Sequence, residues 1–278
     1  MILVTGASGY VGSRAVRRLT ELGVPVTAMG RDEVRLRKVI PEGIPLVIAD
    51  YDDPESLDRA FAQATKLLFV ASDGFAEDMI RQHAHVIDAA NRSAIARTVF
   101  TSIVDIDESS PFYFAPVYRD AEKRLKTARF SSALLRCGLY ADFVLQHWLQ
   151  KTLISLPLAD ARIAPISRDD VAAAAVHAVL GSTDETRQLT GAVSYSMAEI
   201  AAIATRALGK PYSYQACAPE VYFGRLTTDV EKPWPEAFST LCTSIREGRY
   251  AATSQHFRSE DFESFLRRNA QGQSLSRV

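Results

Sequence analysis

The chain has 278 residues, 47% of them hydrophobic and 23% charged, and a formal net charge of −1. That suffices for one large α/β core or one and a half, and so even a charge balance gives no reason to expect nucleic acid or a membrane surface as a partner. Cys137, Cys217 and Cys242 are widely scattered without disulfide or metal-ligand spacing, and read as reduced core residues of a cytoplasmic protein. No run approaches the roughly 20 apolar residues of a membrane helix, and Met1 leads straight into a strand, which argues against a cleaved signal.

The first strand is predicted at Ile2 to Thr5, and it turns through Thr5-Gly6-Ala7-Ser8-Gly9-Tyr10-Val11-Gly12 into a helix over Tyr10 to Leu22. Gly6 permits the tight turn, Gly9 removes a Cβ that would block a pyrophosphate, and Gly12 lets the helix pack closely. The helix N-terminus then offers free N–H groups and a positive dipole end to an anion. A glycine-rich turn alone means little, but a second strand over Pro25 to Met29 completes a βαβ unit and points to dinucleotide binding.

That second strand ends in Met29-Gly30-Arg31-Asp32. An acid at the strand end would hold a ribose 2′-hydroxyl, and none stands there. Arg31, with Arg35 four residues on and Arg37 and Lys38 beyond, favours a 2′-phosphate and hence NADP(H). The alternative is a solvated cationic helix face, with Asp32 left to reach a ribose.

Further strands are predicted over Pro45 to Ala49, Lys66 to Val70, Thr98 to Ile103 and Ser132 to Arg136, with helices over Pro54 to Gln63, Ala76 to Arg92 and Pro116 to Ala128. Six strands with crossovers on both faces predict an α/β fold with a Rossmann-type doubly wound parallel sheet. After Tyr140 come an apolar helix to Leu153, a strand over Arg162 to Ile166, a helix over Asp169 to Leu180, and a mixed tail. Within the tail Ser196 caps a helix to Leu208, Tyr212 to Gln215 forms a strand and Asp261 to Arg268 a closing helix. Pro233-Trp234-Pro235 reads either as a rigid wall or as a loop whose tryptophan plugs the core. The predicted division is an NADP-binding Rossmann domain over residues 1–150, with 162–192 returning to it, and a smaller substrate-binding α/β part over 193–278.

The opening glycine motif, Gly30-Arg31, Asp50-Tyr51, Thr101-Ser102, Glu122-Lys123, Leu135-Arg136-x-Gly138-x-Tyr140 and Ile166-x-Arg168-Asp169-Asp170-Val171-Ala172 together resemble the NmrA-like branch of atypical short-chain dehydrogenases. That branch includes quinone and triphenylmethane-dye reductases as well as redox-sensing regulators. The resemblance implies that Ser8, Gly9, Tyr10 and Val11 touch the pyrophosphate, Arg31 and Arg35 the 2′-phosphate, and Asp50 and Tyr51 the adenine side. It further implies Ala71, Ser72, Thr101 and Ser102 along the ribose and nicotinamide, with Lys123, Gly138 and Tyr140 completing the cofactor site. The alternative reading of Thr101 and Ser102 is simple helix or turn capping.

Typical short-chain dehydrogenases need Tyr-x-x-x-Lys, because residues four apart share a helix face and the ammonium then lowers the phenol pKa. Here Tyr118 and Lys123 are five apart, which on a regular helix leaves them about 140° apart. Both remain candidate catalytic residues. Lys123 can hold a ribose and stabilise an oxyanion, or simply pair with Asp120. Tyr118 can donate a proton, or cover an apolar pocket with the aromatic run Phe112-Tyr113-Phe114, which looks like one wall of a substrate site.

No metal is expected: His83 and His85 lie two apart on a helix, and His147, His177 and His256 stand alone. Nor does any serine sit in a Gly-x-Ser-x-Gly turn. The expected function is reduction of a quinone-like, flat, electron-poor small molecule by hydride from NADP(H). A non-catalytic NADP(H) sensor is the alternative, a sugar-nucleotide epimerase a weaker one, and a homodimer is compatible with either.

Overall fold

The computed structural model describes residues 1–253 and 259–275, the last five of these without side chains, so His256 lies outside the described residues. The strands are β1 (Ile2–Val4), β2 (Val26–Gly30), β3 (Leu46–Ile48), β4 (Lys66–Phe69), β5 (Arg97–Ile103), β6 (Ser131–Cys137), β7 (Leu153–Ile154), β8 (Arg162–Ile163), β9 (Glu185–Leu189), β10 (Tyr195–Ser196) and β11 (Ser213–Tyr214). Seven of them form one sheet in the order β3-β2-β1-β4-β5-β6-β9. From β3 to β5 every pair is parallel, and Ile2 stands in register with Val26 on one side and Lys66 on the other. Strand addition therefore reverses at β1, the point at which open α/β sheets bind ligands.

The helices are α1 (Tyr10–Glu21), α2 (Glu33–Val39), α3 (Pro54–Phe61), α4 (Ala76–Arg92), α5 (Ala115–Lys126), α6 (Ala141–Phe143), α7 (Arg168–Leu180), α8 (Met197–Leu208), α9 (Pro219–Asp229), α10 (Trp234–Arg246) and α11 (Phe262–Leu275). The chain divides into two compact units. The first takes Met1–Ile103, Pro116–Arg136 and Val171–Arg187; the second takes Val104–Ala115, Cys137–Asp170 and Gln188–Val278. In the first, α1 buries Val11, Ala15, Val16 and Leu19, the stripe its 3.6-residue period dictates. Its core is built on Leu67, Phe69 and Phe100 of the parallel strands with Leu57 and Phe61 of α3 and Val86 and Ile87 of α4.

The structure adds α2, α9 and β10 to the expected elements, and it departs from the sequence expectation at three further places. A seventh strand, β9, closes the sheet through Glu-Thr-Arg-Gln-Leu, a segment with no apolar alternation to mark it. The helix expected from Ala141 lasts one turn as α6, continues as a π-helix over Val144–Trp148, and gives way to β7. Pro233-Trp234-Pro235 opens α10: Trp234 is its first residue and Pro235 sits in its first turn, where a missing N–H costs nothing. The second unit's core packs Ile154, Leu156, Ile163, Met197, Ile200, Leu241 and Phe265 together. Capping is as the residues require in α8, where Ser196 and Glu199 form a reciprocal box.

Candidate functional site

Gly6 adopts φ +57°, a left-handed conformation that only glycine takes without strain. A Cβ on Gly12 would lie 2.4 Å from the Gly6 carbonyl oxygen, so the close approach is of α1 to its own turn rather than to the sheet. Gly9 caps α1 and has no side chain to bond the helix end, so no cap side chain competes with an anion for the positive end of α1. Above this turn opens a cavity of about 410 Å³. Gly6, Ser8, Gly9, Arg31, Arg35, Asp50, Tyr51, Ala71 and Ser72 line it, together with Met29, Gly30, Ala49, Val70, Asp73 and Gln82.

The cations after β2 sort themselves by their partners. Asp32 caps α2 by accepting from the Arg35 N–H at 3.1 Å and lies 3.6 Å from the Arg35 guanidinium. Glu33 accepts from Arg37 Nε at 2.9 Å. Arg31 has no hydrogen bond or ion pair with any described residue and lines the cavity. Asp32, the acid nearest the end of β2, is thus turned onto a helix end, while a free guanidinium lines the cavity beyond β2.

Tyr51 anchors the opposite wall. Its hydroxyl lies 2.5 Å from Thr5 Oγ1 and 2.9 Å from the Val70 carbonyl, and Val70 N–H donates to Thr5 Oγ1 at 3.1 Å, so one side chain ties the carboxyl ends of β1 and β4. Burial drives its phenol pKa upward, which keeps it neutral. The next residue, Asp52, receives Arg81 at 2.8 Å and Gln82 at 2.7 Å, and the Arg81 bonds hold its carboxyl below the usual range.

Along the β4 and β5 ends, Thr101 Oγ1 accepts from Ala71 N–H at 3.1 Å, and His83 Nε2 accepts from Ser72 N–H at 3.1 Å. Since the backbone N–H can only donate, the His83 ring proton sits on Nδ1, a buried atom with no partner among the described residues. Phe69 and Phe100 surround the ring, and desolvation lowers its pKa to about 3. His83 is therefore a neutral clamp on Ser72, a role nothing in the helix spacing revealed.

Ser102 Oγ donates to Glu122 Oε1 at 2.7 Å, and Arg136 donates to the same carboxylate through Nε at 2.9 Å and Nη2 at 2.7 Å. The signal for this was a lone arginine inside the apolar strand Ala133-Leu134-Leu135-Arg136-Cys137, which demanded a partner. On the same helix Tyr118 is half-buried and its ring approaches those of His83 and Phe100 at 6.2 and 6.1 Å. Lys123 is exposed, and its ammonium bonds no described residue; Asp120 instead pairs with Arg124 at 2.6 Å.

The 410 Å³ cavity thus gathers the β1, β2, β3 and β4 candidates, while Tyr10, Val11, Gly12, Thr101, Ser102, Tyr118 and Lys123 lie outside its lining. In the second unit Gly138 N–H donates to the Leu189 carbonyl at 2.8 Å, and the Arg168 guanidinium lies 5.3 Å over the Tyr140 ring. Burial pushes the neighbouring Cys137 thiol up to about 12, so it is no nucleophile. The three cysteines are free thiols. Among the described residues no group of three His, Cys, Asp or Glu converges as metal ligands, and no helix is long and apolar enough to cross a membrane.

The model of the NmrA-like family matches residues 1–245. The NAD(P)H azoreductase of Xenophilus azovorans is 26% identical over 225 residues, covering 79% of this chain and 78% of that one. Quinone oxidoreductase 2 of Escherichia coli is 29% identical over 223 residues, covering 77% of each chain. The crystal structure of the Citrobacter sp. triphenylmethane reductase complexed with NADP(H) superposes with a TM-score of 0.87 at 25% identity, over 97% of this chain and all of that one.

Proposed function

The chain belongs to the NmrA-like family, and from that premise we propose that it is an NADP(H)-dependent oxidoreductase that reduces a flat, electron-poor acceptor of the quinone kind. The observation that carries the reading is the pairing of an uncapped helix N-terminus with the free Arg31 guanidinium across one cavity. The residues fit a phosphorylated dinucleotide: the first-turn N–H groups of α1 suit a pyrophosphate, and Arg31 suits a 2′-phosphate that an acid would repel. Arg35 adds charge beside it, and Asp50 and Tyr51 flank the adenosine.

NADPH supplies the hydride when bound. The protein's part is placement. Ala71 and Ser72, fixed by Thr101 and His83, set the floor along which the nicotinamide half would run. Lys123, with no carboxylate bound to it, is the cation we assign to the ribose and to charge developing on the acceptor oxygen. Tyr118, turned toward Phe100 and His83, is assigned no proton transfer, because a reduced quinone takes its proton from water. The free thiols support a cytoplasmic setting.

Loss of 340 nm absorbance with a panel of benzoquinones and naphthoquinones tests the reading. Turnover with NADPH well above NADH is the expected result. Tight NADPH binding without turnover by any acceptor would replace the enzyme with a cofactor-sensing regulator.

A further inference from the structure

A second cavity, of about 270 Å³, lies wholly within the second unit. Its floor is aromatic. Phe143 stands 4.6 Å from His147 with planes tilted by 33°, 5.3 Å from Phe238 and 5.4 Å from Trp148. Phe238 is held in turn by Trp234 at 5.8 Å. The π-helix makes this cluster. Its Leu149 N–H bonds the Val144 carbonyl five residues back, a register that carries residue i+5 over residue i. Phe143 and Trp148 therefore share a side, where a regular α-helix would leave them about 140° apart. Burial, and then the charge of Arg168, lower the pKa of His147, so the ring joins the platform as a neutral imidazole.

The rim is cationic. Lys151 and Arg225 line the cavity against one carboxylate, Asp229. Lys151 bonds no described residue, and Arg225 reaches only Ser155 Oγ at 3.3 Å. Phe143 and Phe238 are half-buried and His147 is exposed, so the rings that line the cavity can take a flat π-system by stacking, and two cations beside them add a preference for an anion.

We propose that this cavity binds a flat aromatic molecule of one or two fused rings carrying a sulfonate or carboxylate, stacked on Phe143, His147 and Phe238 with its anionic group toward Lys151 and Arg225. The proposal goes beyond the reductase reading and needs neither cofactor nor turnover.

Titration calorimetry of the full chain without NADPH tests it, with naphthalene-2-sulfonate as probe and naphthalene-2-sulfonamide as its uncharged counterpart. Both tryptophans of the chain, Trp148 and Trp234, belong to the aromatic cluster, so quenching of intrinsic fluorescence gives a second readout. Saturable binding is expected, tighter for the sulfonate. The exposed double variant Lys151→Ala/Arg225→Ala should weaken the sulfonate about tenfold and the sulfonamide less than twofold, and Phe238→Leu should weaken both. No saturable binding by the wild type, or equal losses for both probes in the double variant, overturns the proposal. Because NADPH is absent, failure here leaves the reductase reading standing, and failure of turnover leaves this site standing.

Discussion

Arg136 clasps Glu122 with two nitrogens, at 2.9 and 2.7 Å, and so a charged residue of β6 is satisfied by a carboxylate that α5 buries to 1% exposure. Ser102 completes the arrangement from β5. Removing one partner of a buried pair leaves the other charge stranded, which costs about 3–5 kcal/mol. Arg136 keeps 22% of its side chain exposed and can recover part of its hydration. Glu122→Ala should therefore destabilise the fold by about 3 kcal/mol, the low end of that range. Glu122→Gln, which keeps one acceptor for Ser102 or Arg136, should cost less. Urea denaturation at pH 7 measures both, and equal stability of Glu122→Ala and wild type would show the pair to be dispensable.

Arg31 is the guanidinium left free beyond β2, because Asp32 and Glu33 engage Arg35 and Arg37. Arg31→Ala should weaken NADPH by roughly 1.5–3 kcal/mol, the value of a hydrogen bond to a charged group, and leave NADH almost unchanged. Calorimetric titrations with the two cofactors decide it; equal losses would move the 2′-phosphate elsewhere.

Sequence patterns carried the sheet because parallel buried strands such as Leu67-Leu68-Phe69 are nearly pure apolar runs, and they carried the glycine turn because Gly6 needs a positive φ. They failed where tertiary partners decide. β9 is a charged segment whose Glu185 and Arg187 pair with each other at 2.8 Å, so its strand character comes from the sheet it joins. The role of His83 follows from a bond to Ser72, eleven residues away, which no helical spacing encodes. In the motif Glu122-Lys123 the carboxylate is the residue turned inward and the lysine is the exposed one, a difference that the spacing alone does not encode.

Gly9 and Gly12 look equivalent in the motif and are not. A Cβ on Gly12 meets backbone at 2.4, 2.8 and 2.9 Å, so Gly12→Ala must move the turn; on Gly9 it meets only the Gly6 oxygen, at 3.2 Å. Overpacking against immovable backbone costs about 1–3 kcal/mol. Gly12→Ala should therefore lower thermal stability and NADPH affinity together, while Gly9→Ala should stay near wild type in melting temperature. Gly9→Val, which thrusts a branched side chain toward the pyrophosphate position, should lose NADPH yet remain folded. Retained affinity in folded Gly9→Val would reduce the glycine turn to a mere connection.

His83 should set part of the acid limb of stability. Its folded pKa, about 3, lies below the ordinary histidine value, so between those limits the unfolded chain binds the extra proton. The contribution is complete above pH 6.5 and is lost as pH falls toward 3. At about 1.4 kcal/mol per unit, the step from pH 7 to pH 5 removes roughly 2 kcal/mol. His83→Gln, which does not titrate, should be less stable than wild type at pH 7 and close that gap by about this amount at pH 5. Urea midpoints at the two pH values report the difference, and a gap that does not change with pH would show His83 to titrate normally.

The five-residue interval from Tyr118 to Lys123 lies in a regular stretch of α5, where it places the tyrosine against Phe100 and His83 and the lysine in solvent. The same interval from Phe143 to Trp148 brings two rings together, because a π-turn intervenes there. With no π-turn in α5, a tyrosine–lysine dyad has no route to form. Tyr118→Phe should accordingly leave most quinone reduction intact, while Lys123→Ala lowers kcat/KM about ten- to a hundredfold through lost cofactor placement and lost stabilisation of the developing oxyanion. Lys123→Arg should recover part of that loss, since the charge is kept. Steady-state kinetics with NADPH and one quinone compare the three variants. A larger loss for Tyr118→Phe than for Lys123→Ala would mean that α5 rearranges in the working enzyme and that the tyrosine donates the proton after all.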